Sequence, residues 1–105
     1  MYFVQYNENV ILFLKKITIS DRIKIEKAIV ELRFYPKTKG KFIGKSKNGV
    51  SFFEKRLFSG KGYRIYYSVF EGQLVIDTIV YSGRALIHKI GDKKTQKEDI
   101  KKLKK

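Results

Sequence analysis

The chain has 105 residues, which allows one domain of ordinary size, residues 1–105, and excludes a second substantial core. Hydrophobic residues make up 43% of it, with eight Phe and seven Tyr, too much apolar surface for a disordered basic tail. The chain has no cysteine, which excludes disulfides, thiolate metal ligands and cysteine nucleophiles, and a single histidine, His88, leaves little for a metal cluster. No apolar run approaches a membrane span and no signal-type segment begins the chain, so a cytoplasmic protein is expected. No cofactor is expected either.

The charge is large and unevenly distributed. Lys and Arg number 24 against 10 Asp and Glu, a net charge of +14 that predicts an anionic partner. Residues 33–64 carry ten basic and one acidic side chain, residues 92–105 carry seven and three, and the remainder is almost neutral. If both basic blocks lie on one face, they form a phosphate-attracting surface with salt-dependent binding. The alternative is a set of solvated lysines that only aid solubility.

The first third of the chain predicts one strand and two helices. The aromatic and β-branched residues of 1–6 indicate a strand that ends at Asn7, a plausible cap for a helix over 10–17. Ser20 and Asp21 can cap a second helix that ends before Pro36. The basic, glycine-containing segment 37–49 shows no clear period and is predicted to be a loop or a frayed edge.

The remainder predicts antiparallel strands and a closing helix. Alternating and aromatic segments at 50–58, 63–70 and 74–81 indicate a meander, and Ser82-Gly83 has the spacing of a tight turn before a further strand at 85–90. Thr95 can cap a last, short helix. The order β-α-α-β-β-β-(β)-α predicts an α+β fold with helices packed on one face of an antiparallel sheet.

One candidate site combines two arginines and a carboxylate. Strand alternation puts Glu54 and Arg56 on one face and Lys55 on the other, and a hairpin would bring Arg64 near Arg56. Guanidinium groups suit phosphate because their planar donors bind two oxygens and stay charged. The alternative is a Glu–Arg pair that only stabilises the sheet.

A second candidate site is the run from Gly91 to Gln96, which includes Lys93 and Lys94, at the junction of the last strand and the last helix. Free amide donors at a helix start and adjacent lysines favour phosphate, although a plain helix cap explains the same residues. His88 fits either a structural or a proton-transfer role. Tyr63 fits either the core or stacking on a base. Phosphate-binding loops and the usual hydrolase motifs are missing.

Three stretches together resemble a known family. Gly49-Val50-Ser51 followed by Glu54 and Arg56, then Gly62-Tyr63-Arg64-Ile65-Tyr66, and finally the run from Gly91 to Ile100 resemble the GxSELR, GxGYRVYY and GDKxxQxxDI motifs. These are typical of the HigB-like, or addiction module killer, branch of the RelE/ParE toxin superfamily. The resemblance covers nearly the whole chain, with Lys55 in place of the family's leucine and an apparent extra hairpin around Ser82-Gly83.

The resemblance implies a RelE-like fold, with an N-terminal strand and a helical hairpin on a twisted antiparallel sheet. It also implies the toxin of a type II toxin–antitoxin module, a ribosome-dependent mRNA endoribonuclease held inactive by an antitoxin. Arg56 and Arg64 would then neutralise the scissile phosphate, Lys93 would position it or protonate the leaving oxygen, and Glu54 would orient an arginine or act as a weak base. The further residues expected to contact RNA are Lys55, Lys61, Tyr63, His88, Lys94 and Gln96.

Two alternatives remain open at the sequence level. The first is a ParE-like toxin that binds DNA gyrase and cleaves nothing, since the superfamily fold serves both activities. The second is a catalytically silent RNA-binding module. Convergence of Arg56, Arg64 and Lys93 in one pocket favours a nuclease, whereas inhibition of gyrase by a surface segment would not need it.

Overall fold

The computed structural model describes residues 1–57 and 62–81. The predicted turn at Ser82-Gly83, the strand at 85–90 and the helix from Thr95 lie outside the described residues. The described elements follow the predicted order with one additional strand: β1 (Phe3–Tyr6), α1 (Glu8–Lys16), α2 (Ile19–Phe34), β2 (Lys41–Lys45), β3 (Ser51–Leu57), β4 (Tyr63–Phe70) and β5 (Gln73–Tyr81).

The two helices start at different kinds of cap. Asn7 occupies the N-cap of α1 as predicted, but its side chain makes no capping hydrogen bond and its amide donates instead to the carbonyl of Asp77. The cap of α2 is Thr18, whose hydroxyl accepts from the backbone N–H of Asp21. The prediction of Ser20 and Asp21 as caps is therefore wrong by two to three residues, because the hydroxyl of Thr18 already caps the free amide in the third position of the helix.

Helix α2 is apolar on two faces. Ile25, Ile29 and Leu32 are buried against the sheet. An outer stripe of four exposed residues, spaced four, seven and four apart, runs along the opposite side of the helix. This outer stripe consists of Ile19, Ile23, Val30 and Phe34.

The five strands form one mixed sheet in the order β1-β5-β4-β3-β2. Strands β2 to β5 are the antiparallel meander, and β1 pairs in parallel with β5. A parallel neighbour needs a crossover connection, and the chain between β1 and β5 contains both helices.

The segment 37–49, predicted to be a loop or a frayed edge, contains the edge strand β2. The strand is short, lies at the sheet edge and is interrupted by an irregularity between Phe42 and Gly44. Lysines and glycines hide its alternation, because an edge strand needs few apolar residues to keep its pairing.

The core lies between the helices and one face of the sheet. It contains Val10 and Leu14 of α1, the three buried residues of α2 and the inward residues of β3, β4 and β5. In β3 and β4 these inward residues are Phe53, Leu57, Tyr63, Ile65, Tyr67 and Val69. Alternation therefore turns Glu54, Arg56, Arg64, Tyr66 and Ser68 toward the other face, which we call the polar face.

Candidate phosphate-binding site

Register brings the predicted cluster together on the polar face. Arg56 of β3 lies directly opposite Arg64 of β4, and Glu54 lies opposite Tyr66. Directly opposed residues in an antiparallel pair have Cβ atoms about 4.5–5.5 Å apart, so the three charged side chains are neighbours. The prediction that a hairpin brings Arg56 and Arg64 near Glu54 is confirmed.

Glu54 holds both arginines, one on each carboxylate oxygen. Arg56 Nε donates to Glu54 Oε1 at 2.9 Å, and Arg64 Nη1 donates to Glu54 Oε2 at 3.2 Å. The arginines differ in accessibility: the side chain of Arg64 is 3% exposed and that of Arg56 is 54% exposed. The cluster therefore presents one guanidinium to solvent and keeps the other inside.

The buried part of the cluster depends on charge pairing. Glu54 and Arg64 are both 2% exposed, and an isolated charge so far from water would be very unfavourable. Arg64 Nη1 also lies 3.5 Å from the Tyr66 hydroxyl, while its Nε finds no hydrogen-bond partner among residues 1–57 and 62–81. Two guanidinium groups around one carboxylate leave a net positive charge. The exposed group of the cluster is the guanidinium of Arg56.

A groove with a volume of about 390 Å³ opens beside this cluster. Strand β2 begins at Lys41, opposite Glu54, so within the described sheet it covers β3 only as far as Glu54. Beyond that point the edge of β3 lines the groove together with the chain that leads into β2. The lining residues are Lys39, Gly40, Lys41, Glu54, Lys55 and Arg56.

Lys39 and Lys41 belong to this groove although no motif singled them out. Both lie in the segment predicted to be a loop or a frayed edge, and only the pairing of β2 with β3 brings them beside Glu54. The one sequence signal was the charge of the segment, which carries five lysines between 37 and 47. Lys55 alternates away from Glu54 and Arg56, as predicted, but also lines the groove at the uncovered edge of β3.

Asp77 adds a buried acid that the sequence analysis missed. It is the extra residue of a bulge in β5, between Thr78 opposite Tyr66 and Ile76 opposite Tyr67, and it is 6% exposed. Burial raises the pKa of Asp77 to about 7, and a hydrogen bond with Ser68 opposes the rise. Within the described part of the chain, Oδ2 of Asp77 has no hydrogen-bond partner. Because Ser68 faces the polar side, the bulge turns the carboxyl toward that side as well.

Tyr63 is a correction. Its ring is 2% exposed in the core on the helix-facing side, edge-on to Phe13, and its hydroxyl donates to Asp21 of α2. Burial and the contact with Asp21 raise the pKa of Tyr63. Tyr63 lies on the opposite face from Arg56 and Arg64, and the core encloses its ring. The ring therefore cannot stack on a base. The predicted RNA contact by Tyr63 is wrong.

Five predicted site residues lie outside the described residues, and their roles stay predictions: Lys61, His88, Lys93, Lys94 and Gln96. Within 1–57 and 62–81, no three His, Cys, Asp or Glu side chains come together in a way that could hold a metal ion. Neither α1 nor α2, the helices of the described part, is long and apolar enough to cross a membrane.

Comparison with known proteins identifies the fold. No protein-family model matches the sequence, and a search of curated proteins also finds no match. Among solved structures, the chain is similar to a chain of the intact E. coli RelBE toxin–antitoxin complex, with a TM-score of 0.60 and 21% identity. The match covers 75% of this chain and 94% of that one. The protein therefore has the mixed α+β architecture of a RelE-like toxin, as the sequence resemblance implied.

Proposed function

We propose that this protein is the toxin of a type II toxin–antitoxin module and that it cleaves mRNA on the ribosome. The observation that carries the proposal is the Glu54 cluster, in which a buried arginine and a buried carboxylate hold an accessible second guanidinium beside a cationic groove. Buried ionisable groups cost stability, and their concentration in such a cluster is typical of functional sites. The fold likeness to a RelBE chain and the three sequence motifs support the same assignment.

The proposed reaction is an internal displacement at phosphorus. The ribose 2′-oxygen loses its proton and bonds to the adjacent phosphorus, the bond from phosphorus to the 5′-oxygen breaks, and that oxygen takes up a proton. The products are a 2′,3′-cyclic phosphate and a 5′-hydroxyl. The phosphorane formed on the way carries extra negative charge, which a preorganised cation in a partly desolvated site stabilises.

Each described residue of the cluster has a distinct part in this scheme. Arg56 contacts the scissile phosphate, because its guanidinium is accessible and keeps donors free beyond the one on Glu54. Glu54 fixes the direction of Arg56. Arg64 is a positioning residue that balances the charge of Glu54 from inside the sheet. Preorganisation of this kind matters because a misplaced group loses most of its effect on the rate.

Proton transfer is assigned to residues outside the described part. Lys93 or Lys94 is proposed to donate to the leaving 5′-oxygen, and His88 is a second candidate acid or base. Lys61 and Gln96 remain proposed contacts to the RNA backbone. Efficient cleavage then depends on alignment of the mRNA by the ribosome, since the described residues offer no strong base beside Arg56.

The partner proposed for the free toxin is an acidic antitoxin. A net charge of +14 favours association with an acidic protein, and the outer stripe of α2 is an exposed apolar surface that a protein partner can cover. The similar solved structure is itself a toxin–antitoxin complex. Co-expression with a short acidic reading frame encoded next to this chain tests the partner: restored growth supports the module, and unchanged toxicity contradicts it.

The activity is tested by inducing the chain in bacteria and mapping the 5′ ends of mRNA. The proposal predicts growth arrest with new 5′-hydroxyl ends inside translated regions. Intact transcripts together with DNA breaks would instead identify a gyrase inhibitor. RNA binding without any cleavage, in cells and with ribosomes in vitro, would identify a silent binding module.

A further inference from the structure

The groove beside Arg56 is fixed in place by a buried tyrosine. The Tyr67 hydroxyl donates to the carbonyl of Pro36, and a Cβ built on Gly40 would lie 1.8 Å from the Tyr67 oxygen. Tyr67 is fully buried, so the chain from Pro36 to Gly40 rests against a rigid part of the core. This contact fixes the backbone position of Gly40 and therefore that of its two neighbours, Lys39 and Lys41.

The charge of the groove is positive and largely uncompensated. Lys39, Lys41, Lys55 and Arg56 contribute four cations, and Glu54 is already engaged by two arginines. The one described ion pair of Lys39 is with Glu31 at 3.9 Å, and both side chains are 48% exposed. A pair so long and so exposed is easily exchanged for another anion.

The chemistry of the lining selects the class of ligand. All six lining residues are charged or glycine, whereas the buried centre of a protein–protein contact is rich in apolar and aromatic groups. A flexible polyanion suits such a lining, because lysine binds phosphate as a point charge without a fixed geometry. The groove therefore fits a nucleic-acid backbone better than a folded protein.

The position of Lys41 places this ligand relative to Arg56. Lys41 lies directly opposite Glu54 in the β2–β3 ladder, which makes it the diagonal neighbour of Arg56. Diagonal neighbours in a sheet are about 7–8 Å apart, near enough for one strand of RNA to contact both side chains with different phosphates.

We infer that Lys39 and Lys41 form a second phosphate subsite, which holds single-stranded RNA on the β2 side of the phosphate bound by Arg56. The inference rests on the proposed function and extends it. The mRNA enters along the edge of the sheet, and the enzyme needs at least one further phosphate beyond the one it cleaves. The subsite contributes binding through the backbone and carries no base preference.

The test compares the double variant K39Q/K41Q with K15Q/K16Q, a matched control at the end of α1, on the helix side of the sheet. All four lysines are exposed, so both variants are expected to fold like the wild type. Binding of a short single-stranded 2′-O-methyl RNA, which cannot be cleaved through its 2′-oxygen, is measured over a range of salt concentrations. On single strands log K falls with log salt with a slope of about −0.7 for each phosphate contact. K39Q/K41Q should therefore make the slope shallower by about 1.4, and the control should leave it unchanged.

The possible results separate the subsite from the function. An unchanged slope for K39Q/K41Q, or an equal decrease for K15Q/K16Q, overturns the subsite even if the wild type cleaves mRNA. Loss of binding to an acidic protein with RNA binding retained also overturns it, because the groove then serves a protein partner. If the wild type binds RNA with the expected slope but never cleaves it, the nuclease proposal fails and the subsite stands.

Discussion

At the scale of single residues, the site depends on one carboxylate whose two oxygens bind two different arginines. Glu54 holds Arg64 inside the sheet and Arg56 at the surface. The two arginines are therefore not equivalent, although strand alternation alone places them on the same face. The exposed Arg56 can contact a phosphate, whereas the buried Arg64 can only hold Glu54 in position.

Replacement of Glu54 is expected to destabilise the fold. Glu54→Gln keeps the size of the side chain but leaves the buried Arg64 guanidinium without an anion. Removal of one partner from a buried pair typically costs about 3–5 kcal/mol. Urea unfolding should show this loss as a lower midpoint with an unchanged slope. A decrease of less than about 1 kcal/mol, the range of exposed pairs, would contradict the structural role of the pair.

Asp77 is expected to make stability depend on pH. Its pKa of about 7 in the folded protein lies above its value in the unfolded chain, so the folded state holds a proton that the unfolded chain releases. The stabilising contribution is present at low pH and is lost as the pH rises through about 7.

The comparison of wild type with Asp77→Asn isolates this group. Between about pH 5 and pH 8.5, the free energy of unfolding of the wild type should fall by about 2–3 kcal/mol relative to the variant. Parallel pH profiles of the two proteins would show that Asp77 does not titrate in this range. The variant keeps the shape of the side chain, so the difference reports the proton rather than packing.

At the scale of elements, the junction between α2 and β2 sets the groove. Gly40 has no room for a side chain against Tyr67, and the Tyr67 hydroxyl anchors Pro36. A change at either residue therefore shifts the start of β2 relative to β3. This junction links a core residue to the position of two surface lysines.

A double-mutant cycle tests that link. Gly40→Ala should cost about 1–3 kcal/mol through overpacking, and Tyr67→Phe should cost a similar amount through the lost hydrogen bond and the unpaired carbonyl of Pro36. Because removal of the hydroxyl also removes the closest contact of the new methyl group, the double variant should be more stable than the sum predicts by at least about 0.5 kcal/mol. Additive losses, measured by thermal or urea unfolding, would contradict a direct contact.

The sequence predicted most elements but not their full arrangement. Helix α1 has a clear apolar period, α2 has a buried stripe, and β3, β4 and β5 are alternating or aromatic segments, so the sequence predicts these five elements within a few residues. The segment of β2 is predicted only as a loop or a frayed edge, because lysines and glycines conceal its alternation. The parallel pairing of β1 with β5 depends on contacts distant in sequence, which local patterns do not encode.

The site was predictable to the extent that it depends on alternation. Period two placed Glu54 and Arg56 on one face, and the hairpin added Arg64. The burial of Arg64, the core position of Tyr63 and the bulge at Asp77 depend on packing of the whole sheet, so the sequence left them open. Lys39 and Lys41 join the site because β2 pairs with β3 in a register that the sequence pattern does not predict.

At the scale of the whole molecule, a RelE-like scaffold separates a core face from a polar face. The helices and the inward residues of the sheet form the core, and the four described buried polar or charged side chains belong to the polar face. These four are Glu54, Arg64, Ser68 and Asp77. Packing on one side and charge on the other let one thin sheet support both stability and the proposed phosphate site.

The measurement that tests this account most directly is mRNA cleavage on purified ribosomes by wild type, Arg56→Gln and Arg22→Gln. Arg22 is a matched control, because it is a half-exposed arginine bonded through Nε to a glutamate at 3.0 Å, far from the cluster in sequence. Arg22→Gln should lose no more than about 1 kcal/mol of stability, since exposed pairs contribute little. Arg56→Gln should still fold, because the buried Glu54 keeps its ion pair with Arg64.

Loss of the phosphate contact should slow cleavage by Arg56→Gln about 100-fold or more, with 5′-hydroxyl products at the same positions, and Arg22→Gln should cleave at the wild-type rate. Cleavage by well-folded Arg56→Gln at the wild-type rate would contradict the claim that Glu54 holds this guanidinium against the scissile phosphate.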